Sequence, residues 1–148
     1  MPISEAWRRC PQGVYLPPDF ARYEAASAAI RSAFYEFTPD IEQVSIDEAF
    51  LDITRSAHLF GGPLETCKKI KLRVRAVTGL GCSLGLAPSK LAAKIASDLE
   101  KPDGLVVVSG ERLSEFLEPL DISRIGGLGP KTAALLRERG INTIGQLA

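Results

Sequence analysis

A chain of 148 residues and 16.0 kDa has room for one domain or one and a half. Hydrophobic residues make up 45% and charged residues 24%, a globular balance that excludes wholesale disorder. Eighteen Lys plus Arg meet eighteen Asp plus Glu, so net charge is silent about partners. Its distribution is not: residues 1–60 carry five basic and nine acidic side chains, residues 61–148 thirteen and nine. An acidic front and a basic back suit a metal site beside a polyanion. No apolar run approaches the roughly 20 residues a membrane helix needs, and MPISEAWRRCPQG lacks the apolar stretch of a secretory signal. Cys10, Cys67 and Cys82 are odd in number and lack C-x-x-C spacing, so they are expected to be reduced thiols, packed as small core hydrophobes in a cytoplasmic protein. The lone His58 has no Cys or His neighbours with which to build a structural zinc site.

In chain order, Ser4 is expected to cap a short helix ending at Arg9, stopped by Cys10-Pro11. Turn residues from Gly13 to Pro18 lead to Asp19, the predicted cap of a second helix with Tyr23, Ala26, Ile30, Ala33 and Phe37 on its apolar stripe. Thr38-Pro39-Asp40 ends it. The runs IEQVSI and AFLDIT flank Asp47-Glu48 and read as a β-hairpin. After Gly61-Gly62-Pro63 a helix over Leu64–Thr78 is predicted, with Leu64, Cys67, Ile70, Val74 and Val77 on one face. GLGCSLGLA reads as a strand and SKLAAKIASDLE as a helix started by Pro88 and Ser89. LVVV at 105–108 reads as a buried strand, and Glu111–Leu117 as a short helix. The order β-β-α-β-α-β with one hairpin predicts an α+β fold with a largely antiparallel sheet. From Asp121 onward glycines and short helices take over, so a boundary is placed near Leu120.

Three features could carry chemistry. Asp47 and Glu48 are neighbours, and on a regular strand they would face opposite sides, so they converge only at a bend. Two carboxylates held close repel, and a divalent cation bound by hard oxygen donors, Mg²⁺ or Mn²⁺, is the usual relief. A solvated turn is the plainer alternative. Lys90 and Lys94 lie on one helix face opposite Leu91, Ile95 and Leu99, and a cationic face beside a metal suits a triphosphate; alone it would be a solvated face. Gly127-Leu128-Gly129-Pro130-Lys131 runs into TAALLRERG, where outward N–H groups at a helix start can hold phosphate oxygen without reading sequence. Lys131, Arg137 and Arg139 would add salt-sensitive attraction, with Leu128, Leu135 and Ile141 holding the hairpin. The alternative is a plain glycine turn between packed helices.

Together these stretches resemble the Y-family DNA polymerases, the translesion enzymes of the DinB, or impB/mucB/samB, type. SIDEAFLDIT is similar to that family's second catalytic motif, CSLGLAPSKLAAKIASDLEKPDGLVVV to the palm segment after it, and ISRIGGLGPKTAALLRERGINTIGQL to the helix-hairpin-helix of the thumb. MPISEAWRRCPQGVYLPP resembles the end of the fingers. The resemblance implies a ferredoxin-like palm. It implies a metal-binding Asp47, an adjacent catalytic and metal-binding Glu48, a Lys94 that contacts the incoming triphosphate, and DNA-backbone contacts at Gly127, Gly129 and Lys131. Its enzymes use two Mg²⁺ ions for in-line nucleotidyl transfer from dNTP to a primer 3′-hydroxyl on primer–template DNA.

The departures are as specific. The family's first metal-binding Asp, its sugar-screening aromatics and its Tyr-x-x-Arg triphosphate clamp lie upstream of the region Met1 resembles. Its little finger and the tail that binds a sliding clamp would follow Ala148. The expectation is a fragment: end of fingers over 1–18, palm without its first strand over 19–120, and part of the thumb over 121–148. Such a piece is expected to be inactive alone, and to dimerise or rearrange around an unpaired strand edge. The competing reading is a non-catalytic DNA-binding accessory module of the same family.

Overall fold

The computed structural model describes all 148 residues. Helix α1 spans Ile3–Arg9 and starts one residue before the expected cap: Pro2, extended at φ −63° and ψ 147°, occupies the cap position and Ser4 lies within the first turn. Proline's fixed φ and missing N–H suit that place. Helix α2, Phe20–Tyr35, is capped as expected, with the Asp19 side chain accepting from the Arg22 amide. Its stripe is only partly inward, since Ala33 is buried whereas Tyr23 is exposed. Phe37 lies just beyond the helix, and its ring meets Phe60 at 5.0 Å between centroids.

Strands β1 (Ile41–Gln43) and β2 (Ala49–Leu51) form the antiparallel hairpin read from the sequence, with Ile41 opposite Leu51 and Gln43 opposite Ala49. The buried Thr38 hydroxyl fastens the hairpin base by donating to the Asp52 carbonyl at 2.6 Å. Helix α3, Pro63–Thr78, turns Cys67, Ile70 and Val74 inward, and the core forms where these meet Phe37 with Ile30, Phe34, Leu51 and Phe60 around them. Leu64 and Val77, expected on the same face, stay partly exposed at its ends.

Strand β3 (Leu84–Leu86), helix α4 (Lys90–Leu99) and strand β4 (Leu105–Val107) follow. The fold is α+β, but its strands differ from the single, largely antiparallel sheet expected. β1 and β2 form one antiparallel ribbon and β3 and β4 a separate parallel one, with Leu84 opposite Leu105. The reason is the connection: strands joined through a helix cross over and run parallel, whereas only the tight bend joining β1 to β2 permits an antiparallel pair. β4 is half-buried rather than buried, with Val107 exposed and Val108 beyond it buried.

Helix α4 lies directly on β3 because residue 85 is glycine. A Cβ there would sit 2.0 Å from the Ala93 carbonyl oxygen. The close approach buries Ala92, Ile95 and Ala96 and leaves Leu91 and Leu99 at the rim. Ser89 caps the helix by accepting from the Ala92 amide. Below it, the Lys71 ammonium of α3 holds the start of both parallel strands by donating to Asp103 Oδ1 at 2.8 Å and to the carbonyls of Cys82 and Gly104. Among the thiols, all free, Cys67 is buried and Cys82 half-buried, but Cys10 is exposed in the loop after α1 and is no core residue.

Helix α5 (Leu113–Leu117) leads into the glycine-rich end, where α6 (Pro130–Glu138) and α7 (Ile144–Leu147) pack around Ile122, Ala133 and Ile144. Leu135, expected to hold this hairpin, is exposed, and Leu128 and Ile141 are only half-buried. Ile144 and Gly145 donate their amides to Leu120 and Glu118, tying α7 back to the end of α5. No helix is long and apolar enough to cross a membrane.

Candidate active site

The link between β1 and β2 bends over Val44–Glu48, closed by the Val44 and Ser45 amides donating to the Glu48 carbonyl at 2.9 and 3.2 Å. Asp47 and Glu48 thus sit at a bend, and each is engaged differently. Asp47 is exposed, and its Oδ1 accepts from the Ser45 hydroxyl at 2.7 Å. Glu48 is half-buried, and its Oε1 accepts from Lys94 Nζ at 2.6 Å. That ammonium pairs with Glu48 alone, whereas Asp47 is held only by a hydroxyl.

Lys94 reaches Glu48 because Gly85 lets α4 come down beside the hairpin. The same ammonium lies 3.4 Å from Asp98, one turn on, and Asp98 in turn pairs with Lys101 at 2.6 Å. The hydrogen bond to Glu48 is the main reason the Lys94 pKa is raised, and the bond from Lys101 is the main reason that of Asp98 is lowered. Lys94 therefore carries its charge throughout the physiological range. One turn earlier, Lys90 pairs with Glu42 of β1 and lies over the Phe50 ring, 5.7 Å from its centroid. Both lysines picked out from sequence face the hairpin. Their partners Glu42 and Asp98 were missed; the four-residue step from Lys94 to Asp98 could have flagged one, but nothing local marks Glu42.

At the far end of the chain Gly127 and Gly129 are unencumbered. Gly127 has φ +85°, a conformation that side chains avoid, while Gly129 at φ −71° is ordinary. A Cβ on either would meet nothing within 4 Å, so open space lies over both. No side chain caps α6, which leaves the first-turn N–H groups directed outward beside the exposed Lys131. The neighbouring α7 instead has a complete capping box between Thr143 and Gln146. Arg137, expected to face a polyanion freely, is tied to Asp121 at 2.8 Å. The structure thus brings Glu48 and Lys94 together, with Asp47 next to Glu48 in the bend but engaged only by Ser45, and leaves Gly127, Gly129 and Lys131 at the start of α6.

Residues 1–98 match the model of the impB/mucB/samB family, and residues 110–141 match the helix-hairpin-helix motif of the same family. The chain belongs to the impB/mucB/samB family. Among curated relatives, DNA polymerase IV of Methanoculleus marisnigri is 48% identical over 148 residues, covering 100% of this chain and 41% of its own length. DNA polymerase IV of Desulfatibacillum aliphaticivorans is 45% identical over 144 residues, 97% of this chain and 36% of the relative. Of solved structures, DinB from Sulfolobus solfataricus superposes with a TM-score of 0.90 at 37% identity, covering 97% of this chain and 42% of that one. An insertion ternary complex of Dbh DNA polymerase does so with a TM-score of 0.89, also at 37% identity and with the same coverage. The chain therefore spans about two fifths of the length of the relatives it matches.

Proposed function

We propose that this chain is the palm and first thumb segment of a template-directed, damage-tolerant DNA polymerase of the impB/mucB/samB family. In this reading 1–18 end a fingers region, 19–120 form the palm and 121–148 begin the thumb. The observation that carries it is the 2.6 Å contact between Lys94 and Glu48. It sets the Lys94 ammonium against the acidic bend across 46 residues of sequence, which supports a role for that cation in holding a triphosphate.

The carboxylates of Asp47 and Glu48 are hard oxygen donors of the kind that hold Mg²⁺ or Mn²⁺. A metal held by Asp47 and Glu48 would lower the pKa of a primer 3′-hydroxyl and neutralise charge on a leaving pyrophosphate. No group of three His, Cys, Asp or Glu stands together anywhere in the chain. An ion on these two carboxylates would complete its shell with water or phosphate oxygens, and its affinity should be low without nucleotide. Lys94 would orient the dNTP by exchanging Glu48 for the triphosphate. Both side chains are a third or more exposed, so the pair is worth about 1 kcal/mol or less and a polyanion can displace it. Gly127, Gly129 and Lys131 would hold the primer–template backbone through outward amides and one ammonium, a contact blind to sequence.

In the whole enzyme this reading adds a sliding clamp as partner and the cytoplasm, where DNA is repaired, as its place. The 148-residue chain by itself is expected to bind DNA without extending it, and to self-associate. Retention of Asp47, Glu48 and Lys94 speaks for a polymerase lineage over an accessory module. The test is primer–template binding by fluorescence anisotropy, alongside single-nucleotide extension with Mg²⁺ and dNTPs. Binding that weakens with salt, equally on unrelated sequences and with no extension, is expected. Absence of binding at low salt, or sequence-selective binding, would overturn the DNA reading. Extension that disappears in Asp47→Ala would overturn the expected inactivity.

A further inference from the structure

The acidic bend is held from outside the hairpin. On α2, Arg31 Nη1 donates to Gln43 Oε1 at 2.7 Å, and Gln43 Nε2 donates to Ser27 Oγ at 3.2 Å. The same Nε2 also donates to the Ser45 carbonyl at 3.0 Å. Because guanidinium is a donor only, the amide oxygen must face Arg31 and both amide hydrogens are directed to Ser27 and Ser45. Ser45 Oγ then donates to Asp47 Oδ1 at 2.7 Å and lies 3.4 Å from the Asp47 amide. Ser27, Arg31 and Gln43 of this chain of contacts line a polar pocket between α2 and the hairpin, with Glu24, Ala28 and Ile46 at its sides. The bend needs none of this to close, since two backbone bonds to the Glu48 carbonyl already do so. What the chain of contacts adds is orientation. An exposed aspartate has a broad χ2, and a carboxylate that must be ordered by the ion it binds loses affinity in doing so.

We propose that Gln43 is a positioning residue for Asp47: pinned to α2 by Arg31 and Ser27, it fixes the Ser45 backbone so that the Ser45 hydroxyl holds Asp47 Oδ1 and leaves Oδ2 for a divalent cation. The inference rests on the reading of Asp47 as a metal ligand. It makes α2, which contributes no ligand, part of the metal site's support.

The test is Mn²⁺ binding by the 148-residue chain in the presence of dATP, followed by the electron paramagnetic resonance signal of free Mn²⁺, with thermal melts as a fold control. Asp47→Ala should lose at least about tenfold in affinity through loss of a ligand. Gln43→Met keeps the length and removes every side-chain hydrogen bond of this residue, and Ser45→Ala removes the hydroxyl. Each should lose several-fold to about tenfold, at or below the low end of the roughly 10–100-fold typical of outer-shell partners because Asp47 is exposed, with the melt little changed. Ser45→Thr restores a hydroxyl and should bind nearly as the unsubstituted chain does. If Asp47→Ala weakens Mn²⁺ while Gln43→Met and Ser45→Ala do not, the positioning role is wrong and the ligand reading stands. If Asp47→Ala binds normally, or the unsubstituted chain adds nothing to dATP, the ligand reading fails and this inference with it. Should Gln43→Met unfold, the contrast between Ser45→Ala and Ser45→Thr still decides.

Discussion

Lys94 touches Glu48 and Asp98 with one ammonium, and a nucleotide triphosphate would compete with both for it. Replacing it by methionine keeps the packing of the stem on α4 and deletes the charge. The ion pair is exposed enough to add about 1 kcal/mol or less to stability, so the melting temperature should move by no more than a few degrees. Affinity for Mg²⁺–dATP should fall about tenfold or more, since a hydrogen bond to a charged group contributes roughly 1.5 kcal/mol or more. Equilibrium titration of a fluorescent dATP analogue checks this, and an unchanged affinity would reduce Lys94 to a solvated ion pair. At the thiols, burial pushes Cys67 up to about 11, and its side chain is shut between α3 and its neighbours, whereas Cys10 lies open in a loop. The thiolate is the nucleophile. Alkylation with iodoacetamide at pH 8 should label Cys10 within minutes and spare Cys67 until the chain is denatured, as peptide mass mapping would show. Sequence placed all three thiols in the core, because a lone cysteine carries no sign of which side of a loop it will face.

Two elements depend on single residues. Helix α4 can lie on β3 only over Gly85, where a methyl would enter to 2.0 Å of the Ala93 carbonyl oxygen. Gly85→Ala must lift the helix, which should cost about 1–3 kcal/mol or more by the usual toll of overpacking and draw Lys94 away from Glu48. Gly126→Ala, where a Cβ meets nothing within 4 Å, is the matching neutral control in urea unfolding. In the terminal hairpin, Asp121 accepts from Ser123 and Arg137, and these contacts hold its carboxyl down to about 2. A depressed carboxylate pKa contributes stability above its unfolded value, near 4. That contribution is lost as pH falls toward 2, when the folded carboxylate takes up its proton. The α6–α7 unit should therefore loosen between about pH 4 and pH 2, and Asp121→Asn should flatten this part of the curve; amide exchange at Ala133 and Ile144 reports on it. The hairpin, α3 and α4 were legible in sequence because period, caps and glycine breaks all agree within each segment. The pairing of β3 with β4 was not, since GLGCSLGLA and LVVV are apolar apart from Ser83 and name no partner; only the crossover through α4 decides it. The family resemblance implied a metal role for Glu48 and a triphosphate role for Lys94, but not their direct contact, since local pattern says nothing of what lies 46 residues away.

For the molecule as a whole, surface is the unusual quantity. A compact monomer of 16.0 kDa should expose about 7,400 Å², whereas this chain exposes 10037 Å² and buries only 15 of its 148 residues. The surplus, roughly 2,600 Å², is as large as a substantial protein–protein interface. It includes large apolar side chains: Val14 is 86% exposed, Leu16 82% and Phe20 67%, gathered where the loop after α1 enters α2. Neither sheet has more than two strands, so each of the four strands keeps an unpaired edge. Apolar surface and open edges of this extent favour association, because contact with polypeptide removes the apolar area from water and the solvated strand edges offer a template for pairing. The chain should therefore enhance the fluorescence of an apolar dye such as anilinonaphthalene sulfonate while still showing its native helical signal. In sedimentation velocity its weight-average coefficient should rise between low and high micromolar concentration. Replacing Leu16 and Phe20 by serine removes apolar area without touching the acidic bend, and should lower both signals together. A monomer at every concentration that binds no dye would show that these side chains are covered in solution by a rearrangement within the chain itself. The same double substitution should leave the Mn²⁺ and DNA measurements unchanged, because the bend and the α6 N-terminus draw on neither residue.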